Sequence, residues 1–388
     1  MQQLFKPATV TLFILTSLTI LSFTNNARQS TPVTKTANPK IQAAILLDVS
    51  GSMDGLIEQA KAQLWNMVNT MGKAKCDGNI SPKIEIALYE YGRSTNDVKA
   101  GYVKLINGFI SDLDSLSQNL FSLKTNGGDE YCGQVIFSSL NELQWDASPE
   151  SYKVIFIAGN EDFLQGNLHY TRACTEAKNK GVIVNTIYCG DKMQGIREHW
   201  NLAGECGNGS YTNINQNAKE PEIPTPYDSI IYALNNRLNA TYIAYGYGGA
   251  SSQKKQAIMD QANASMSKSA GIKRIQSKSN AGVYNNAQWD LVDAKDKGGD
   301  QALEKIDKKE LPDSLKNKTT EELKKIVAVK SKERSAVNAE IINLNKQRDA
   351  YIAAEKAKNA TSNNAATLET EVEKIIKEQA KRYKMKID

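Results

Sequence analysis

Residues 43–65 read AAILLDVSGSMDGLIEQAKAQLW. An apolar run ends abruptly in an acid, two serines and a glycine, and a helical pattern starts at once. Residues 41–47 are mostly apolar, as expected of a strand buried on both faces. Leu56, Ala60, Leu64, Met67 and Met71 then recur at helical spacing. Asp48, Ser50 and Ser52 therefore fall at the carboxyl end of a buried strand, where open α/β sheets place their ligands.

Working outward, IEIALYEY (84–91) is rich in β-formers, and GYVKLI (101–106) is a candidate hairpin partner. Residues 113–123 and 134–143 read as helices around the loop TNGGDEYCG. KVIFIA (153–158) and VIVNTIYCG (182–190) are further strands of the buried type, separated by a helix over 171–180 that Gly181 closes. A short helix (196–203), a short strand (210–214) and a helix (227–239) follow. Alternation at this spacing predicts an α/β fold: a doubly wound, mostly parallel sheet with helices on both faces, over residues 41–240.

Residues 241–300 are Gly/Ser/Asn-rich and read as a connector, packed on the first domain through Trp289, Leu291 and Val292. Residues 301–388 read as a helical, coiled-coil-like tail. Thr319 and Glu322 form a capping-box pattern, and an apolar seam then runs from Leu323 to Tyr351. NATSNNAAT breaks it, and a matching seam follows from Leu368, which predicts an antiparallel helical hairpin. Lys330, Arg334 and Gln379 interrupt those seams.

Lys6 and the apolar stretch 8–23 read as an export signal over 1–27, followed by a linker over 28–40. The run is short of the roughly 20 apolar residues that span a bilayer, so no membrane span is expected unless the signal stays uncleaved. Five cysteines in an exported chain suggest one disulfide, with Cys189–Cys206 or Cys132–Cys174 as candidates. Two histidines and no CxxC pair argue against a zinc site. The net charge of +5 lies mostly in the tail, interleaved with acids, which describes a solvated helical face and no nucleic-acid partner.

Three readings of the opening motif compete. As a nucleophile elbow, Ser52 would need Gly at position 50, which is Ser50, and neither histidine has a recognisable partner acid, so no enzyme is expected. No phosphate-binding glycine motif is present. As ordinary capping residues, Asp48, Ser50 and Ser52 would only start the helix. As a metal site, one carboxylate and two hydroxyls on a tight loop suit a hard divalent cation that keeps waters or an open position.

DVSGSM behind an apolar strand, with NGGDEYCG and KVIFIAGNE at matching separations, resembles the von Willebrand factor A domain over about half the chain. The resemblance implies a metal-ion-dependent adhesion site, in which a bound Mg²⁺ or Ca²⁺ coordinates an acidic residue of a protein partner. It also implies an exported bacterial protein, periplasmic or on the cell surface. Two positions depart from the family pattern: Asp129 stands where a Thr is expected, and Gly159 where an Asp is expected. The expected ligands are therefore Asp48, Ser50 and Ser52, with Asp129 as the replacement carboxylate and Glu161 after it; Glu130, Glu161 and Asp162 lie beside the two departing positions. The alternative is a metal-free scaffold that docks through its helical tail.

Overall fold

In the computed structural model, which describes residues 39–217, 222–358 and 368–387, the apolar run becomes a central strand of a six-stranded sheet. The strands are β1 (Lys40–Asp48), β2 (Lys83–Tyr91), β3 (Lys104–Ile110), β4 (Tyr152–Gly159), β5 (Ile183–Cys189) and β6 (Asn208–Ile214). Their order is β3-β2-β1-β4-β5-β6, and all neighbours are parallel except β2 and β3. The short β2–β3 connection dictates that exception, since parallel neighbours need a long crossover. The expected signal and the linker up to residue 38 lie outside the described residues, as does the break between the tail helices.

Alternation along β1 divides the core. Ile41, Ala43 and Leu47 face one hydrophobic cluster, and Ala44 and Leu46 face another across the sheet. Helices α1 (Asp54–Gly72) and α2 (Leu113–Ser122) contribute to the first cluster. Helices α3 (Cys132–Glu142), α4 (Tyr170–Lys180) and α6 (Trp200–Cys206) contribute to the second, with the short α5 (Lys192–Arg197) before α6. The disulfide joins α4 to α6 as Cys174–Cys206, so neither expected pairing forms. Each expected pair contained one of its members. Cys132 and Cys189 are buried free thiols below the site described next.

The segment read as a connector is largely helical. After α7 (Asp228–Asn239) come α8 (Gly249–Met266), α9 (Lys268–Lys278) and α10 (Leu291–Gly298). The apolar signal is weak because the buried positions of α8 include Gln256 and Asn263, which are satisfied by hydrogen bonds to Tyr284 (3.1 Å) and from Trp65 (2.8 Å). Of the three residues expected to pack this segment on the first domain, Trp289 joins the cluster shared with the sheet, whereas Leu291 and Val292 are buried in a separate cluster with Leu303, Leu311, Leu323 and Val327.

Short helices α11 (Asp300–Glu304) and α12 (Asp313–Lys316) lead to the long α13 (Thr320–Lys358). Its start follows the capping box: Glu322 accepts from the Thr319 N–H at 2.8 Å, and Thr319 Oγ1 accepts from the Glu322 N–H at 3.2 Å. The last helix is α14 (Leu368–Ala380). The expected hairpin is replaced by two separate dockings: α13 packs along α7 and α10, and α14 along α1. The residues that interrupt the seams explain the partners. Arg334 reaches Asp290 and Asp293, each at 2.7 Å. Gln379 accepts from Tyr152 Oη at 2.9 Å and exchanges two hydrogen bonds with Asn185 of β5. The chain end closes onto the loop after α1, where Lys386 and Lys75 form an antiparallel bridge. Among the described residues no helix is long and apolar enough to cross a membrane.

Candidate metal centre

Three strands deliver residues to one point at the carboxyl edge of the sheet. β1 ends at Asp48, β2 pairs Tyr91 with it, and β4 ends at Gly159. The loop after β1 is tied on both sides: the Val49 N–H donates to Tyr91 O, and Val49 O accepts from the Asn126 N–H, both at 2.9 Å. Asp48 is fully buried, and its Oδ1 accepts from the Ser50 N–H at 2.7 Å. This side-chain turn folds the loop so that Ser50 Oγ and Ser52 Oγ lie 3.4 Å apart. The Asn160 amide sits 3.3–3.5 Å from Ser52 Oγ.

Sequence reasoning offered Asp129 as the compensating acid. The structure turns Asp129 outward, where its carboxylate accepts from Tyr131 Oη at 3.2 Å. Its neighbour Glu130 is buried and faces Asp48 and Ser50. A single observation fixes that proximity: a Cβ on Gly92 would lie 2.9 Å from both Asp48 Oδ1 and Glu130 Cγ. Gly92, at φ +78°, is the wedge between the two acids, and no side chain fits there. Which of two adjacent acids points inward depends on loop backbone geometry, so residue type alone could not have singled out Glu130. Glu161 is exposed at the rim, with Oε2 3.4 Å from Gln165 Nε2.

Gly159 is also explained. A Cβ at this position would lie 2.5 Å from Tyr91 Oη and 3.0 Å from Asp48 Oδ2. Tyr91 Oη, which donates to Ala158 O at 3.0 Å, fills the volume that an acid at 159 would need. Gly159→Asp is therefore expected to destabilise the protein by about 1–3 kcal/mol through overpacking. Adding Tyr91→Phe, which removes the obstructing oxygen, is expected to recover part of that loss. Urea denaturation of the single and double variants checks this.

The electrostatics are those of crowded acids. Burial, then the charge of Glu161, pushes the Asp48 carboxyl up to about 7 against the hydrogen bonds from Ser50. Burial followed by the charges of Asp48 and Glu161 pushes Glu130 up to about 8. Among the described residues Asp48 Oδ2 is buried without a well-formed hydrogen bond, although the Asn160 N–H and the Ser50 hydroxyl lie close to the carboxyl. An under-paired acceptor beside a second buried acid calls for a proton or a cation. Among the described residues no three His, Cys, Asp or Glu side chains gather as a metal cage, so a cation here would also take serine oxygens. The set Asp48, Ser50, Ser52 and Glu130 is all oxygen and fits a hard divalent ion. In the cation-binding reading proposed below, Glu130→Ala is expected to weaken binding of the cation by about 10–100-fold. Asp129→Ala is expected to change it less than about twofold. Isothermal titration of both variants distinguishes the two acids.

The histidines lie elsewhere. His169 caps α4 by accepting from the Thr171 N–H at 3.4 Å, and His199 Nδ1 lies 3.3 Å from Asp162 Oδ1.

No family model and no curated protein matches this chain. Solved structures do. A von Willebrand factor type A protein from Catenulispora acidiphila is 13% identical with a TM-score of 0.34, covering 46% of this chain and 39% of that one. The SpRpn10 VWA domain is 14% identical with a TM-score of 0.34, covering 45% and 88%. The conserved hypothetical protein BatB from Bacteroides thetaiotaomicron is 14% identical with a TM-score of 0.35, covering 57% and 99%. The chain thus spans well under half the length of the Catenulispora protein. These likenesses concern the fold alone.

Proposed function

We propose that this chain, whose α/β fold is of the von Willebrand factor A-like, Rossmann type, is an exported, non-enzymatic binding protein. In this reading it holds a divalent cation, Mg²⁺ or Ca²⁺, at the carboxyl edge of its sheet. Asp48, Ser50, Ser52 and Glu130 are the protein ligands. The cation supplies an electrophilic position for an acidic side chain of a protein partner, and Glu161 at the rim adds to the negative field around it. The observation that carries this reading is the under-paired Asp48 Oδ2, fully buried beside two serine hydroxyls and a second buried carboxyl. Such a group is expensive to maintain unless something completes it.

The binding reading is favoured over catalysis because neither histidine is placed to activate Ser50 or Ser52: one caps α4 and the other faces Asp162. The Cys174–Cys206 disulfide supports an oxidising compartment, in keeping with export to a bacterial periplasm or surface. The test is retention of an envelope protein on immobilised full-length chain. Retention with Mg²⁺ or Ca²⁺, lost both in chelator and in Asp48→Ala, supports the reading. Retention that ignores both would favour a metal-free scaffold instead.

A further inference from the structure

The amino edge of the sheet, opposite the candidate metal centre, gathers basic residues, and the chain end builds much of it. After α14 a single helical turn (Lys381–Tyr383) hooks the chain under the strands. The Tyr383 ring lies 5.3 Å from that of Tyr152 at the start of β4, and Arg382 Nη1 donates to Asn208 O at the start of β6 at 2.8 Å. Lys386 then exchanges two backbone hydrogen bonds, both 2.9 Å, with Lys75 beyond the end of α1. Residues opposite each other in such a bridge put their side chains on one face. Ala74 and Met385 are buried, so alternation turns Lys75 and Lys386 away from the core.

Like charges directly opposite are destabilising, and the acids of this edge do not offset them. Glu85 and Asp146 are engaged by Lys40, Glu85 also by Lys83, and Glu176 by Lys180. Lys75 Nζ donates to Ser81 Oγ at 2.7 Å. Among the described residues no acid pairs with Lys75, Lys381, Arg382, Lys384 or Lys386. Asp77 and Glu150 lie near Cys76, whose thiol is raised by burial and then by their charges. Two acids leave these five cations in excess.

Exposed cations kept without counter-ions are complementary to a surface that supplies them. Two features select a bilayer over a soluble polyanion. Ile80 is 42% exposed on the loop between Lys75 and Lys83, and an apolar side chain among cations suits the boundary between headgroups and acyl chains. The first strand also begins on this edge, at Lys40, so the chain leading from the apolar stretch 8–23 joins the fold here.

We propose that the amino edge docks on the surface of an anionic phospholipid bilayer, with Lys75, Lys381, Arg382, Lys384 and Lys386 toward the headgroup phosphates and Ile80 at the boundary. The carboxyl edge then faces away from the bilayer. The proposal does not depend on a cation being bound there.

The test is co-sedimentation of the protein from residue 28 onward, which keeps every described residue and omits the apolar stretch, with vesicles of phosphatidylglycerol and phosphatidylcholine in equal parts. Binding is expected to these vesicles and not to pure phosphatidylcholine. Raising the salt from about 0.1 M to about 1 M shortens the screening length from about 10 Å to about 3 Å and is expected to abolish it. Each basic residue near such a surface is worth about fivefold, so Lys75→Gln with Lys386→Gln is expected to weaken binding about 25-fold. The same pair should raise the urea midpoint, because it relieves the opposed charges. Lys75→Arg with Lys386→Arg should keep the binding, and Lys124→Ala with Lys192→Ala, at the other edge, should leave it unchanged. Inorganic phosphate should displace the protein no better than chloride of the same ionic strength. Absence of binding in the wild type, equal binding to pure phosphatidylcholine, undiminished binding in the double Gln variant, specific displacement by phosphate, or displacement by a DNA duplex at matched phosphate content would overturn the proposal.

Discussion

A chain ending at Lys358 is expected not to fold on its own. The residues removed include Leu368, Val372, Ile375, Ile376 and Met385, all buried in the cluster shared with α1 and the sheet. Each such side chain contributes roughly 1.5–3 kcal/mol when buried. Together they approach the whole stability of a typical domain, about 5–15 kcal/mol, before the entropy of ordering the helix is set against them. The loss is not only apolar. Tyr152 and Asn185 would be left in the sheet without Gln379, and Thr212 without Glu371. The expected result is loss of the cooperative unfolding transition, restored when a peptide of residues 368–388 is added in trans. A truncated chain that unfolds within about 1 kcal/mol of the full-length protein would show that α14 is the separable tail the sequence first suggested.

Asp260→Ala is expected to destabilise the protein by about 3–5 kcal/mol, the usual effect of removing one member of a buried ionic group. Asp260 receives Arg274 Nε at 2.6 Å, Lys278 Nζ at 2.7 Å and Asn239 Nδ2 at 2.8 Å. Arg274 also meets Asp114 of α2 at 2.8 Å and lies 4.7 Å over the Trp65 ring of α1. One carboxylate therefore holds α7, α8 and α9 together, and through Arg274 ties them to α1 and α2. Its loss leaves two fully buried cations underpaired. The pH dependence has a definite sign. Burial raises the Asp260 pKa, but Lys278 and Arg274 outweigh it and hold the carboxyl well below the usual range. Burial also lowers Lys278, to about 8, so both groups are lowered: the shift favours the charged form of the carboxyl and disfavours that of the amine. The acid limb is decided by Asp260, because Lys278 and Arg274 both stay charged there. A depressed carboxyl contributes stability that is fully present above about pH 4 and is lost as pH falls further. The gap between wild type and Asp260→Ala in urea should thus be full at pH 7 and shrink as pH falls below 4. A gap that widens in acid would contradict this network.

Much of the sheet was legible in the sequence. Strands buried on both faces leave continuous apolar runs, and residues 41–47, 153–158 and 182–190 needed no other signal. The antiparallel edge was legible because β3 follows β2 too soon for a crossover. The destination of α14 was not, since an apolar stripe states that a helix is covered and does not name the cover. The seams over 323–351 and 368–382 matched each other, and both in fact serve other partners. Helix α8 was missed for the opposite reason: Gln256 and Asn263 are buried on it, so its packed face looks polar. The disulfide depended on how α4 and α6 pack, which cysteine spacing does not encode.

At the site, Asp48, Ser50 and Ser52 were legible because strand, loop and helix fix where they must lie. Of the two adjacent acids, the expected Asp129 is exposed and Glu130 is the one that is buried toward Asp48. Backbone geometry from Gly127 to Glu130 decides which of two adjacent carboxylates turns inward, and Gly92 leaves room for it. Gly159 read as a loss; with Tyr91 in place, it is the residue that the packing around Asp48 requires.

In the proposed reading, Asp48, Ser50, Ser52 and Glu130 complete one another around a divalent ion. It is tested most directly by calorimetric titration of metal-free, full-length protein with Mg²⁺, Ca²⁺ and Mn²⁺ at about pH 8.5, where the raised carboxyls of Asp48 and Glu130 are largely ionised. The expected result is saturable binding of one ion per chain, lost in Asp48→Asn and in Glu130→Gln and kept in Asp129→Asn. No metal-dependent heat in the wild type, or unchanged binding in Asp48→Asn, would contradict it.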